Sequence, residues 1–106
     1  MALKVFISQP MGNRTEQEIE SERERMMRLA EKALGDKCKE IPSYNPNFKG
    51  EPPLKALGRS IQLMAQADVV VFAPGWKYAR GCKVEHMCAE SYGLEICEVE
   101  EGHDED

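Results

Sequence analysis

Short apolar runs and helix-spaced apolar positions alternate along the first half of the chain. Leu3–Ser8 is rich in β-branched and aromatic residues, which predicts a buried strand, and residues 9–13 form turns readily. Residues 15–18 have the capping-box sequence, so a helix is predicted to begin there. Gly35 stands where a left-handed cap belongs, which predicts that the helix runs to about Leu34. Its apolar stripe consists of Ile19, Met26, Ala30, Ala33 and Leu34.

The middle of the chain combines a short strand pattern with a long turn-rich segment. Residues 37–41 predict a second strand, and residues 42–53 hold four prolines, two asparagines and Gly50. A loop of this length inside a small domain commonly has a binding or lid role. Its rings, Tyr44 and Phe48, either stack on a ligand or close the edge of the core.

The last part repeats the alternation twice. Leucine, isoleucine and methionine at helical spacing between Leu54 and Ala65 predict a second helix, and residues 68–73 form the most apolar strand. Residues 74–81 predict a loop, and residues 94–99 a final strand. Between them a third helix is predicted to end at Gly93, with its buried face formed by Val84, Met87, Cys88 and Ser91.

The predicted order of elements is β-α-β-α-β-α-β. It indicates an α/β fold, flavodoxin-like or Rossmann-like, with a parallel sheet of about four strands and helices on both faces. We expect the strand order 2-1-3-4. Residues 1–99 form one domain in this interpretation, and residues 100–106 form an acidic tail that we expect to be disordered.

Composition narrows the possible functions. A chain of 106 residues with 42% hydrophobic content can bury one modest core, which excludes a second domain. The formal net charge of -5 repels polyanions, so we expect no nucleic-acid polymer as a partner, whereas a single nucleotide remains possible.

Neither a membrane location nor a metal site is indicated. No run approaches the roughly 18 apolar residues that a membrane span needs, and the first strand pattern begins without a signal peptide, so we expect a cytoplasmic protein. The cysteines, Cys38, Cys82, Cys88 and Cys97, have no C-x-x-C spacing, which favours free thiols over a metal centre.

In an open parallel sheet, ligands bind beyond the carboxyl ends of the strands near the point where the strand order reverses. The loop of residues 8–14, after the first strand, meets that criterion. Its backbone N–H groups, the Ser8 hydroxyl and the Arg14 guanidinium are suited to hold a phosphate. The alternative is a plain turn with Gly12 in a strained conformation. The candidate binding residues of this loop are Ser8, Gln9, Met11, Gly12 and Arg14.

The second such loop, residues 74–81, leads into the third helix. Trp76 and Tyr78 can stack on a base, and Lys77 and Arg80 add positive charge, although Trp76 is equally able to act as a packing residue. The candidate binding residues here are Trp76, Tyr78, Arg80 and Gly81.

Glu85 is the candidate catalytic carboxylate. We expect it in the first turn of the third helix, where the unpaired N–H groups favour an anion and keep the carboxylate ionised. An ionised carboxylate can attack an anomeric carbon. The alternative is a surface residue that interacts only with the helix dipole. His86 points about 100° away from Glu85 on the helix and is expected at the surface.

Several segments together resemble a small uncharacterised branch of the nucleoside 2-deoxyribosyltransferase-like superfamily, similar to DUF4406 domains. The resemblance covers residues 4–97. Its motifs are Phe6-Ile7-Ser8-Gln9-Pro10-Met11, Ala67-Asp68, Gly75-Trp76 and Ala79-Arg80-Gly81-Cys82-x-x-Glu85-x-x-x-Ala89-x-x-Tyr92-Gly93.

The resemblance implies that Glu85 attacks C1′ of a nucleoside or nucleotide and releases the base by N-glycosidic cleavage or deoxyribosyl transfer. It also implies that Asp68 is a supporting acid and that Ser8 begins a loop around a 5′-phosphate. We expect that this reaction needs no metal or cofactor. Because the relatives complete their pockets with residues from a neighbouring subunit, we also expect a homodimer through the apolar residues of the second and third helices. The transferases carry a second acidic residue six positions before the nucleophile, where this chain has Ala79, and a tyrosine where it has Ser8-Gln9. These departures favour hydrolysis of a nucleotide, or an altogether different substrate, over base exchange between nucleosides.

Two alternatives stay open. The first is a nucleotide-binding or interaction domain that keeps the fold without turnover, which the missing acid at Ala79 would permit. The second is a domain similar to the TIR family, whose active members cleave the glycosidic bond of NAD.

Overall fold

A computed structural model describes residues 2–48 and 50–100, except for the side chain of Phe48. Residues 101–106, the greater part of the predicted acidic tail, lie outside that range. The described chain contains four strands, β1 (Leu3–Ser8), β2 (Cys38–Glu40), β3 (Val69–Phe72) and β4 (Glu95–Glu98), and three α-helices, α1 (Glu16–Leu34), α2 (Pro53–Met64) and α3 (Arg80–Ser91).

The four strands form one parallel sheet in the order β2-β1-β3-β4, as predicted. Each pair of neighbours runs parallel, with Val5 opposite Val69 and Ser8 opposite Phe72 in the central pair. The order reverses between β1 and β3, so the chain leaves these adjacent strands towards opposite faces of the sheet.

The capping signals of α1 are confirmed. The Glu18 N–H donates to Thr15 Oγ1 at 3.1 Å, and the Thr15 N–H donates to Glu18 Oε1 at 2.8 Å. Gly35 ends the helix at φ 67°, a left-handed conformation that glycine adopts without a Cβ penalty. Local sequence therefore determines both ends of this helix.

Helices cover both faces of the sheet, as predicted. Odd-numbered positions such as Val5 and Ile7 pack against Met26 and Ala30 of α1. Even-numbered positions such as Phe6 and Phe72 form a second core with residues of α2 and α3. Successive side chains of a strand point to opposite faces of the sheet. Ser8 therefore points to the face covered by α2 and α3, and Gln9 points to the face covered by α1.

Three expectations about the loops and helix α3 are wrong. The helix begins at Arg80, so Glu85 lies in its second turn and not its first. Its buried residues are Cys82, Glu85 and Ala89, whereas Met87 of the predicted face is 59% exposed. The prediction selected the most apolar stripe, but the sheet side of this helix includes a carboxylate. The strained residue of the first loop is Asn13, at φ 60°, and not Gly12.

Two further observations concern the predicted class of protein. Within residues 2–48 and 50–100, no helix has the length and apolar content needed to cross a membrane. The four cysteines are free thiols, and this part of the chain does not bring three His, Cys, Asp or Glu side chains together as a metal site would.

Candidate active site

A cleft of about 600 Å³ lies at the carboxyl edge of the sheet, beside the reversal of strand order. The ends of β1, α2 and the start of α3 form its walls. We call it the Glu85 cleft. Its lining residues are Phe6, Ile7, Gln9, Pro10, Met11, Gly12, Ser43, Pro53, Ala56, Leu57, Ser60, Ala79, Arg80, Gly81, Cys82 and Glu85.

Glu85, which lines this cleft, forms a hydrogen-bonded pair with a second buried side chain. Ser8 Oγ donates to Glu85 Oε1 at 2.5 Å, although 77 residues separate the two in sequence. Ser8 is 1% exposed and Glu85 is 7% exposed. A second hydroxyl, Ser60 on α2, also hydrogen-bonds to Glu85. The carboxylate is thus held by neutral donors from two different elements.

Burial raises the pKa of Glu85 above its ordinary value, and the hydrogen bonds from Ser8 and Ser60 lower that pKa only in part. The expectation that the helix terminus keeps the carboxylate ionised is therefore wrong in direction. Glu85 lies beyond the first turn, where the effect of the helix dipole falls off, and loss of water outweighs it. Carboxylates poised in this way are common at catalytic sites.

Cys82 lies one helical turn before Glu85 and lines the same cleft. Burial raises the pKa of its thiol to about 11, while a hydrogen bond with Ser8 acts in the opposite direction. The thiol is therefore neutral at physiological pH and poorly suited to act as a nucleophile. Cys82 and Ser60 were not predicted as site residues, because neither carries a local sequence signal that distinguishes it from a packing residue.

Gln9 leads to a second polar cluster on the α1 side of the sheet. Arg23 donates from Nη1 to Gln9 Oε1 at 2.8 Å, from Nε to Glu40 Oε2 at 2.7 Å and from Nη2 to Ser43 Oγ at 2.7 Å. We call these four residues the Arg23 network. Arg23 is 4% exposed, so three partners satisfy a buried guanidinium. Gln9 therefore helps to hold the start of the loop, and it also lines the Glu85 cleft.

Arg14, the predicted phosphate ligand, is already engaged. Its Nη1 donates to the Pro10 carbonyl at 2.8 Å and to Glu22 Oε1 at 2.7 Å. The guanidinium thus ties the loop to helix α1. In this arrangement Glu22 offsets its charge, which weakens the argument for Arg14 as a phosphate-binding residue.

A smaller cavity of about 310 Å³ adjoins the Glu85 cleft and shares Met11, Ser43, Ala56 and Ser60 with it. We call it the Tyr44 pocket. Tyr44 lines it and is half-buried, while Arg59 at its wall pairs with Glu51. The location of Tyr44 is compatible with ligand stacking, the first of the two roles expected for it. The corresponding question for Phe48 lies outside the described residues.

Trp76 and His86 form an aromatic cluster away from the lining of the Glu85 cleft. Their rings stack with centroids 4.0 Å apart and planes within 10°, and both contact Phe72. The His86 side chain is only 12% exposed and lies 2.7 Å from Glu98 Oε2, so its predicted surface location is wrong. Trp76 here has the packing role that the sequence left open, and Tyr78 is 87% exposed.

Asp68 lies at the amino end of β3, the end opposite the Glu85 cleft. Its Oδ2 accepts from the Lys4 N–H at 2.7 Å, and its own N–H donates to the Lys4 carbonyl at 2.8 Å. It therefore extends the pairing of β1 with β3. The structure does not bring Asp68 to Glu85, and this geometry gives it no part in the same site.

Of the predicted residues, the cleft unites Glu85 with Gln9, Met11, Gly12, Arg80 and Gly81, and Ser8 lies behind its wall, hydrogen-bonded to Glu85. A comparison of the sequence with protein families finds the family described as a domain of unknown function, DUF4406, over residues 3–98. No curated protein and no solved structure matches the chain. The predicted similarity to DUF4406 is confirmed, and the wider superfamily relationship stays a prediction.

Proposed function

The chain belongs to the DUF4406 family, and we propose that it is an enzyme that cleaves the N-glycosidic bond of a nucleoside or nucleotide, with Glu85 as the nucleophile. The observation that carries this proposal is the buried Glu85 carboxylate, which accepts a 2.5 Å hydrogen bond from Ser8 in a cleft at the carboxyl edge of a parallel sheet. A surface residue that interacts only with the helix dipole would have neither this burial nor this partner.

The chemistry follows from the position of the carboxylate. When ionised, Glu85 attacks C1′ of the sugar, the bond from C1′ to the base breaks, and water then hydrolyses the glycosyl ester. Ser8 and Ser60 fix the orientation of the carboxylate and favour its ionised form. Part of the catalytic advantage then comes from orientation before substrate binds.

The walls of the cleft suit a small ring system. Pro10, Met11, Pro53 and Leu57 provide apolar surface, and Ser43 provides a hydroxyl. Binding sites for small molecules commonly combine a mostly apolar lining with a few polar groups. Membership of the nucleoside 2-deoxyribosyltransferase-like superfamily, and a homodimer that completes the cleft, are further parts of the proposal.

The test is the release of free base from a panel of nucleosides and nucleoside 5′-monophosphates, measured by chromatography. We expect turnover by the parent protein and a loss on the order of 10⁴-fold in Glu85→Gln, which keeps the shape and removes the charge. Glu90→Gln, on the exposed side of the same helix, is the matched control and should retain full activity. If Glu85→Gln cleaves as fast as the parent, Glu85 is not the nucleophile.

One observation favours a second candidate function, a binding domain without turnover. Ala79 lines the cleft at the position where the transferases carry their second acid, so this wall offers a methyl group. Saturable binding of a nucleotide without release of base, in both the parent and Glu85→Gln, would support this second function over the first.

A further inference from the structure

We infer that the Glu85 cleft selects N-glycosides whose leaving ring carries a positive charge, such as a pyridinium or an N7-alkylated purine. Such a ring departs as a neutral molecule and needs no proton from the protein. This inference rests on the proposed function of Glu85 and defines the class of substrate.

The cleft is poor in proton donors. Among the described residues that line it, the ionisable side chains are Arg80, Cys82 and Glu85. Arginine does not release its proton in proteins, and the buried Cys82 thiol is too weak an acid, with a pKa of about 11. Glu85 must be ionised to attack C1′ and therefore cannot donate a proton in the same step. The part of the lining that the structure describes thus has no group suited to protonate a departing neutral base.

The charge of the Glu85 carboxylate also favours a cationic ligand. The hydrogen-bond partners of the buried Glu85 carboxylate are hydroxyls, which carry no opposite charge. Arg23, on the other side of the sheet, has a carboxylate partner in Glu40. A buried charge without an opposite charge is costly, and a cationic ligand in the cleft would supply the missing partner. Arg80 is solvent-exposed, so its repulsion of such a ligand is screened by salt.

The reaction balances without a protein acid. As Glu85 attacks, the electron pair of the C1′–N bond moves onto the ring nitrogen and neutralises the positive charge of the ring. Water then attacks C1′, the electron pair of the ester bond returns to the carboxylate, and the proton of the water passes to solvent. One proton is released for each turnover, whereas hydrolysis of a neutral nucleoside returns that proton to the base.

The test compares pairs that differ in ring charge and one methyl group, inosine with 7-methylinosine and their 5′-monophosphates, at a mildly acidic pH where the methylated ring keeps its N1 proton and its positive charge, together with nicotinamide mononucleotide. We expect kcat/KM at least 100-fold higher for the cationic members after subtraction of the enzyme-free rate. We also expect one proton released per turnover in weakly buffered solution, and a pH profile that rises without a descending limb assignable to an acid.

A binding measurement gives a readout that does not depend on turnover. Calorimetry with 1-methylnicotinamide and nicotinamide should show tighter binding of the cation to the parent, and Glu85→Gln should remove the preference. Neutral and cationic nucleosides cleaved within tenfold of each other would overturn the inference while the proposed function stands. If neither class is cleaved but the cation binds preferentially, the proposed function fails and the charge argument survives. Equal binding of both rings to the parent would contradict the charge argument.

Discussion

Ser8 and Gln9 are neighbours at the end of β1, and they lead to two polar clusters that bury charge in different ways. On the α1 side, the Arg23 guanidinium has three partners, including the Glu40 carboxylate. On the α3 side, the Glu85 carboxylate has hydroxyl donors, and burial raises its pKa. In the first cluster the Arg23 charge has an ion-pair partner, and the cluster holds the loop that follows β1. The second holds a carboxylate whose ionisation the fold disfavours, which is typical of a group that acts on a ligand.

The largest effect on the free energy of unfolding should come from a substitution in the Arg23 network. Arg23→Met keeps the aliphatic length but leaves Gln9, Glu40 and Ser43 without their shared donor. We expect a loss of about 3–5 kcal/mol in the free energy of unfolding. Urea denaturation at pH 7 measures it. Glu85→Gln should be as stable as the parent or more stable, because it removes a buried charge.

Arg80→Met is the control for this measurement, because Arg80 is exposed and should contribute less than about 0.5 kcal/mol. An equal loss of stability in Arg23→Met and Glu85→Gln would contradict the distinction between the two clusters.

A smaller effect should follow from the removal of one hydroxyl. Ser8→Ala deletes a hydrogen bond that lowers the pKa of Glu85, so this pKa should rise further. Activity that needs the ionised carboxylate should then begin at higher pH, with kcat/KM at neutral pH reduced about tenfold or more. The pH dependence of kcat/KM measures the shift. The control is Ser91→Ala, which changes an exposed serine at the end of α3 and should leave the pH profile unchanged. If Ser8→Ala also leaves the profile unchanged, Ser8 does not contribute to catalysis.

The smallest expected effect is on the pH dependence of stability. The folded protein binds a proton at Glu85 more tightly than the unfolded chain does, because burial raises the pKa of Glu85. This contribution is fully present below the unfolded pKa of about 4.3 and is lost as pH rises through the folded pKa. The difference in Tm between Glu85→Gln and the parent should therefore grow by a few degrees from pH 4 to pH 8. A difference that is constant across this range would show that Glu85 titrates alike in both states.

The fold was largely predictable because its signals are local. The capping box at Thr15, the cap at Gly35 and the apolar strand patterns each act within a few residues, and the connection rules give a parallel sheet. The inward position of Glu85 was less predictable. Apolar periodicity selects Met87, because hydrophobicity does not identify a helix face that buries a functional carboxylate.

Other parts of the site depend on tertiary packing. Nothing near Ser60 in sequence marks it as a partner of Glu85, since their contact depends on how α2 packs against α3. His86 lies on a different side of α3 from Glu85, as the helical angle predicts, but Trp76 and Phe72 cover it. Asp68 was predicted as a supporting acid from the resemblance alone. Its location at the amino end of β3 follows from the bounds of that strand.

The central strand pair also sets the time at which this protein can fold during synthesis. Lys4 on β1 pairs with Asp68 beside β3, across a separation of 64 residues. At a translation rate of roughly 5–20 residues per second, β1 waits about 3–13 s for that partner to be made. During this interval the apolar side chains of β1 have only α1, the short strand β2 and, late in the interval, α2 to pack against. A nascent chain stopped before β3 therefore leaves one edge of β1 without its partner strand, and an unpaired strand edge favours association with other chains.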